Sequence, residues 1–360
     1  MIDFVQAVLE FRHTGQICAG FKGQWDTDGT IEWTTDIGMN VEGSHDSRIM
    51  IRSQNKCDED TFKEVYISGN PAKFLQGHNL FGSDDLLSLM AYALRRALDA
   101  IGKPVDEFTY RRWLVGAGVE IKMVDITYMW HVGSRDKART WLRALSHTGH
   151  MKHRGRGEFR GETLYYGRKS RRWAMKMYCK GDELDSKKKG HRLPGSFFID
   201  PYKLDGKRLQ LYADDCVRFE LRLLSLELKR LHLDEGTWWQ TVDALQLFRA
   251  HLQGLQMSEQ KLRYEALELE LPDHLSKTYR MWRKGYDLRT MLNKATYYRH
   301  RKDLLEHGVD IGVTAAGDAS APESRVVPIL RPLEAVPARV PDWAEGRSIY
   351  FDASKAKSGV

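Results

Sequence analysis

The sequence predicts an α+β fold, a largely antiparallel sheet with inserted helices followed by a helical C-terminal region. Three observations carry that prediction. Several short stretches alternate apolar and polar residues with the period of two that a half-buried strand requires. Helical stretches interrupt them without the regular strand–helix alternation of a parallel sheet. From about Leu226 to His307 the pattern is helical throughout.

Taken in order, alternation appears first in SRIMIRSQ (47–54) and KEVYIS (63–68). A helix is announced by Ser83 as N-cap with Asp84 and Asp85 behind it, and it runs to near Gly102. The longest alternating run, VEIKMVDITYMW (119–130), follows. A second helix starts at Ser134, sets Ala138, Trp141, Leu142 and Leu145 on one stripe, and ends near Gly149. Strands resume at ETLYYG (162–167), RRWAMKMYCK (171–180) and CVRFELRLL (216–224). Further on, a short helix, a turn at Gly285 and two more helices suit either a helix-turn-helix or an ordinary bundle with a basic face. In the first case Tyr297, Arg299, His300, Arg301 and Lys302 face DNA. Residues 322–341 hold 5 of the chain's 10 prolines, which favours an extended over a packed tail. These shifts divide the chain into 1–230, 231–311 and 312–360.

Charge narrows the partners. The net charge is +7, yet residues 151–190 alone hold 13 Lys/Arg against 5 Asp/Glu, so the rest is close to neutral. Charge concentrated in this way favours a phosphate-binding surface, with Lys187–Lys189 read as a solvated loop. Cys18, Cys57, Cys179 and Cys216 lie far apart with no C-x-x-C pair, which argues against structural zinc and a disulfide framework and fits a reducing cytoplasm. The start, MIDFVQAVLEFRHTG, lacks signal-peptide character, and the most apolar helix is broken by Arg95 and Arg96, so no membrane span is expected.

The strands suggest a site. In RRWAMKMYCK, Lys176, Tyr178 and Lys180 alternate with Trp173, Met175, Met177 and Cys179. In CVRFELRLL, Arg218, Glu220 and Arg222 oppose Val217, Phe219, Leu221 and Leu223, and in 124–130 Asp125 and Thr127 oppose Val124 and Ile126. If these strands share a sheet, Asp125, Tyr178, Lys180 and Glu220 meet on its polar face. The set holds two oxygen ligands for Mg²⁺ or Mn²⁺, a nucleophile and a positive charge, which permits phosphoryl transfer to a tyrosine. An ordinary wet strand face fits the same spacing. Lys176 reads as a phosphate contact. Arg218 and Arg222 flank Glu220 as phosphate contacts or as cross-strand ion pairs.

The stretch NPAKFLQGHNLFGSDDL (70–86) closely resembles a signature of the filamentous-phage gene II replication initiators, within the gene II/X family of phage and plasmid replication proteins. The likeness is collinear over most of the chain: MIDF at the start, MVDITY (123–128), VRFELRL (217–223), GYDLRTMLNKATYYRHRKDLLEHGVDI (285–311), then VVPILRP (326–332) and PDW (341–343). It implies a rolling-circle initiator of nickase-like fold in the host cytoplasm. Such a protein binds the double-stranded origin, nicks one strand through a tyrosine, stays joined to the 5′ end and later rejoins the displaced single strand. A host helicase and further copies of the chain are candidate partners. The family's Tyr-x-Lys element corresponds to Tyr178-Cys179-Lys180, with Arg168, Arg171 and Arg172 upstream on the DNA side. Asp125 and Glu220 match acidic metal-binding positions. No His-hydrophobic-His pair is present, so His78 stands as candidate third ligand or DNA contact, beside Asn79; alternatively both hold a turn together. His45 and His131 read as surface residues, and Tyr165 and Tyr166 are rival nucleophiles. A DNA-binding regulator without catalysis is the alternative function.

Overall fold

A computed structural model describes residues 1–151, 154–186, 191–256, 259–313 and 336–357. Lys187–Lys189 and the VVPILRP stretch lie outside the described residues. The chain opens with a 13-residue strand, Ile2–Thr14 (β1), and a hairpin, Gly20–Trp25 (β2) with Ile31–Ile37 (β3), that forms its own two-stranded sheet. Met39–Glu42 (β4), Arg48–Lys56 (β5) and Thr61–Gly69 (β6) follow. Then come the helices Pro71–Gln76 (α1), Leu86–Ala100 (α2) and Glu107–Leu114 (α3), the strand Val119–His131 (β7) and the helix Arg135–Thr148 (α4). The short strands His150–Met151 (β8), Gly155–Arg156 (β9) and Glu158–Arg160 (β10) lead to Thr163–Tyr166 (β11) and Trp173–Cys179 (β12). The helices Lys180–Asp185 (α5) and Lys203–Asp214 (α6) precede Cys216–Leu224 (β13). The remaining elements are Ser225–Arg230 (α7), Ala244–Leu252 (α8), Leu255–Gln256 (β14), Glu259–Glu270 (α9), Asp273–Arg283 (α10), Leu288–Met291 (α11), Lys294–Glu306 (α12), Val336–Pro337 (β15) and Ala353–Lys357 (α13).

The predicted α+β class holds. One large sheet runs β10-β11-β12-β13-β7-β1-β6-β5-β4, with β15 added to β7 and every pairing antiparallel. Val217, Phe219, Leu221 and Leu223 of β13, Met175 and Met177 of β12, and Val124 and Ile126 of β7 form one continuous core with α2, α3, α4 and α8. Each strand thus lays one face on helices, as its alternation demanded. Ser134 caps α4, accepting a hydrogen bond from the Lys137 N–H, and its stripe of Ala138, Trp141, Leu142 and Leu145 is buried. The cap of α2 is Asp85, not Ser83: Asp85 accepts from the Ser88 N–H, while the Ser83 hydroxyl accepts from the Asp85 N–H and shapes the approach.

Periodicity missed β1, which lies between β7 and β6 inside the sheet. Its register slips against β7 between Ile2 and Phe4 and against β6 between Glu10 and His13, so the apolar residues change parity along it. Two further expectations change. The tail is not free of the fold over residues 336–353: β15 pairs with β7, and Ala344 and Ile349 enter a second core with Leu80, Phe81, Phe197 and Leu209. The helices α10–α12 share a third core in which Tyr297 and Leu304 are buried.

Candidate functional site

The polar face of the sheet is built in layers by register. Asp125 faces Arg222, Thr127 faces Glu220, and Met129 faces Arg218 across β7 and β13; across β12 and β13, Lys176 faces Glu220 and Tyr178 faces Arg218. The Tyr178 hydroxyl donates to Glu220 Oε1, and the Lys176 ammonium pairs with Glu220 Oε2. Arg218 Nε donates to Glu220 at 3.0 Å and its Nη2 reaches Asp3 at 2.9 Å. Arg222 grips Asp125 through two parallel bonds of 2.8 and 2.7 Å. The predicted convergence of two acids, a phenol and cations on one face is present. The face, however, is roofed: Tyr178 is 5 % exposed, Glu220 and Asp125 each 2 %.

The 70–86 stretch makes the roof. Asn70 caps α1, accepting from the Lys73 N–H, Pro71 takes the first helical position, and Gly77 closes the helix at φ +83, a conformation that favours glycine. The chain then turns so that Asn79 Nδ2 donates to Asp3 at 2.9 Å, its Oδ1 accepts from Lys180 Nζ at 3.2 Å, and its carbonyl accepts from Arg218. Asn70 donates to the same Asp3 oxygen. Asp3 occupies the β1 bulge, which explains why no alternation pointed to it.

Electrostatics follow burial. The Tyr178 phenol is held well above its ordinary range, first by desolvation and then by the Glu220 charge, so it rests protonated. Lys176 and Lys180 set their ammonium groups 5.8 and 6.0 Å from its ring centre. Desolvation pushes Lys180 down; on Lys176 it is again the largest single effect, but the Glu220 charge and hydrogen bond together with the Asp125 and Asp3 charges outweigh it and raise the ammonium. Asp125 is raised by desolvation despite Arg222. Desolvation would raise Asp3 too, but Arg218, Lys180 and the Asn79 hydrogen bond offset it and leave the carboxyl low.

The other predicted residues divide. Lys180 is not on the strand but opens α5, where it pairs with Glu183, a residue the spacing did not reveal. Arg218, expected beside phosphate, is fully buried as an internal cation. His78 is not free to ligate: Nδ1 accepts the Leu80 N–H at 3.2 Å and Nε2 lies 2.8 Å from the Ile349 carbonyl, so both nitrogens hold backbone. Burial lowers it to about 3, and it stays neutral. His45, expected at the surface, stacks on Phe197 at 4.2 Å, and His131 contacts Asp215. Tyr166 is buried on the apolar side of the sheet, whereas Tyr165 sits opposite Lys176. Arg168, Arg171 and Arg172 are exposed at the far end of β12. Arg172 lies six positions from Tyr178, about 20 Å of strand, so these arginines do not join the cluster. Arg299 is exposed on α12, but Arg301 is tied to Asp310 by bonds of 2.7 and 2.8 Å, and Tyr297 and His300 point inward.

Asp125, Thr127 and Glu220 offer oxygen donors on this face, the chemistry that Mg²⁺ and Mn²⁺ prefer. Thr127 Oγ1 is buried without a hydrogen-bond partner, directly across from Glu220 and two residues from Asp125. An orphaned oxygen on the same face as both carboxylates fits a hard divalent ion, which would compete with Arg222 for Asp125 and with Tyr178, Lys176 and Arg218 for Glu220.

Residues 1–242 match the N-terminal family of the phage replication-associated protein encoded by gene II, and residues 268–349 match its C-terminal counterpart. The replication-associated protein of the same type from Enterobacteria phage I2-2 is 36 % identical over 358 residues, covering 99 % of this chain and all of that protein. The structure of a rolling-circle replication initiator protein from Geobacillus stearothermophilus aligns over 72 % of this chain and 86 % of its own, at 12 % identity and a TM-score of 0.32. No described helix is long and apolar enough to cross a membrane.

Proposed function

The chain belongs to the family of gene II replication-associated proteins, and from that membership we propose that it initiates rolling-circle DNA replication as a metal-dependent, site-specific nickase and ligase. The observation that carries the reading is the Tyr178 hydroxyl hydrogen-bonded to Glu220 among four buried or half-buried cations, Lys176, Lys180, Arg218 and Arg222. The partners are double-stranded origin DNA and the displaced strand.

The step requires a protonated phenol to become a nucleophile. Tyr178 Oη forms a bond to phosphorus in line with the scissile linkage, the P–O3′ bond breaks, and the 3′ oxygen takes a proton from solvent and leaves as a hydroxyl, while the phenolic proton passes through Glu220 to solvent. Glu220 accepts the phenolic proton, since its Oε1 already holds that hydrogen bond. Lys176 and Lys180 flank the ring and balance charge as the phosphate crowds with oxygen. The product is a 5′-phosphotyrosine, and the reverse displacement by a 3′ hydroxyl rejoins the strand. A Mg²⁺ or Mn²⁺ ion held by Asp125, Glu220 and Thr127 would polarise a non-bridging phosphate oxygen. Arg218 acts through Asp3 and Glu220 as a positioning residue.

The test is supercoiled DNA carrying the origin, incubated with Mg²⁺. Tyr178→Phe is expected to abolish both nicking and the detergent-resistant protein–DNA adduct while binding persists. Full nicking by that variant moves the nucleophile elsewhere, and intact binding with no strand breakage by the unaltered chain favours a regulator.

A further inference from the structure

We infer that His131, Asp215 and Cys216 form a second metal site, distinct from the tyrosine cluster and suited to a borderline-soft dication such as Zn²⁺. His131 ends β7 and Cys216 begins β13; the two are register partners, so both project from the polar face of the sheet. Asp215, in the turn before β13, completes the group. His131 Nδ1 lies 2.7 Å from Asp215 Oδ1 and 3.4 Å from Cys216 Sγ, and all three donors fall within 4.8 Å of one another. Around tetrahedral zinc, bonded at about 2.0–2.3 Å, neighbouring donors stand roughly 3.3–3.8 Å apart. Opening the His131–Asp215 contact by about 0.6 Å brings that pair to this spacing. No other trio of His, Cys, Asp or Glu donors meets this closeness among the described residues.

The surroundings favour a metal over nucleophilic chemistry. A catalytic thiol needs one imidazole nitrogen while the carboxylate takes the other, but here Nδ1 faces both Sγ and Oδ1. Cys216 is fully buried, and its Sγ donates to the Tyr212 carbonyl at 3.2 Å. Asp215 is held from behind, its Oδ2 accepting the Gly133 N–H at 3.1 Å, the supporting hydrogen bond that orients a metal-bound carboxylate. Binding forms a sulfur–metal bond, breaks S–H and releases that proton to solvent, while His131 supplies the Nδ1 lone pair with its proton on Nε2. Affinity therefore rises with pH.

The site is separate from the oxygen donors at Thr127. Thr127 and His131 are four positions apart on β7, about 13 Å, and the Met129–Arg218 pair fills the layer between. Its position gives it a structural consequence. Val336 of β15 is the register partner of His131, and the Tyr212 ring stands edge-on to His131 at 5.0 Å while its hydroxyl donates to the Arg339 carbonyl at 2.7 Å. A bound ion would fasten the ends of the two central strands beneath the C-terminal tail.

The experiment is titration of the full chain, stripped by chelator, with Co²⁺ as an optical probe. The expected result is a thiolate-to-cobalt charge-transfer band that saturates at one equivalent, is bleached by Zn²⁺ and is untouched by Mg²⁺. Cys216→Ser removes the band, His131→Gln weakens Co²⁺ binding at least about tenfold, and Cys18→Ser and Cys57→Ser leave it unchanged. Absence of the band, its survival in Cys216→Ser, or its loss in the Cys18 or Cys57 variant overturns the assignment. Should Cys216→Ser fail to fold, the half-buried His131→Gln decides, because unaltered Co²⁺ affinity there excludes the site.

Discussion

At the scale of residues, Glu220 organises the cluster. It is the shared partner of Tyr178, Lys176 and Arg218, all on neighbouring strand positions, and it is buried. Glu220→Gln preserves shape but leaves the buried Arg218 guanidinium paired with a single carboxylate, Asp3, beside the Asn79 carbonyl. Removing one member of a buried ion pair costs about 3–5 kcal/mol. Urea unfolding should report a loss of that order for Glu220→Gln and a distinctly smaller one for Asp125→Asn, because Arg222, Asp125's partner, is 42 % exposed and regains water. Equal losses would mean that Glu220 is not the hub. The same surroundings keep the phenol protonated at rest, burial first and the Glu220 charge second holding it well above its ordinary range.

At the scale of elements, the alternation of β12 and β13 was fully readable, since each strand lays one face on the helical core and the other on the ionic layer. The helices α10–α12 were less so. Their sequence suggested a basic face of Tyr297, Arg299, His300, Arg301 and Lys302, but only residues free of internal partners serve DNA. His300 Nδ1 contacts the Thr278 hydroxyl at 2.8 Å, and Arg301 holds Asp310. Arg299→Ala should leave the unfolding midpoint unchanged and lower the slope of log affinity against log salt by about one, as loss of one phosphate contact requires. Tyr297→Ala should instead cost about 3–5 kcal/mol through the cavity left in the α10–α12 core. An unaltered salt slope in Arg299→Ala would remove α12 from the DNA surface.

At the scale of the whole molecule, the tail and the 70–86 stretch act as one roof. The Ile349 carbonyl meets His78, the Phe351 N–H donates to Gln76 Oε1, Arg347 pairs with the buried Asp205, and Gln76 Nε2 donates to the His78 and Phe81 carbonyls. This roof has a pH signature. His78 is lowered to about 3 in the fold from an ordinary 6.5, chiefly by burial, so between those values the unfolded chain binds a proton that the folded chain refuses. The contribution is complete above pH 6.5 and is lost as pH falls toward 3, at about 1.4 kcal/mol per pH unit. Urea midpoints at pH 7, 6 and 5 should therefore fall more steeply for the unaltered chain than for His78→Gln. Parallel slopes would show that His78 titrates normally.

Legible in the sequence alone were the class of fold, most strands of the large sheet, the helix α4 with its Ser134 cap, and the polar face of each strand that carries Tyr178, Glu220 or Asp125. These follow from local rules, the two-residue period of a pleated strand and the chemistry of a cap, which act over a few positions. What lies across from what was set by packing between remote segments. Asp3 was hidden because a bulge breaks the period, Glu183 because its role depends on Lys180 turning into a helix, and His78 was misread because its partner Ile349 lies 271 residues away. The tail looked unpacked because proline-rich composition records what a segment cannot form alone, while packing depends on the surface that receives it. Local periodicity fixes the direction of each side chain; contacts between remote segments decide whether that direction ends in solvent, in a core, or at a charge.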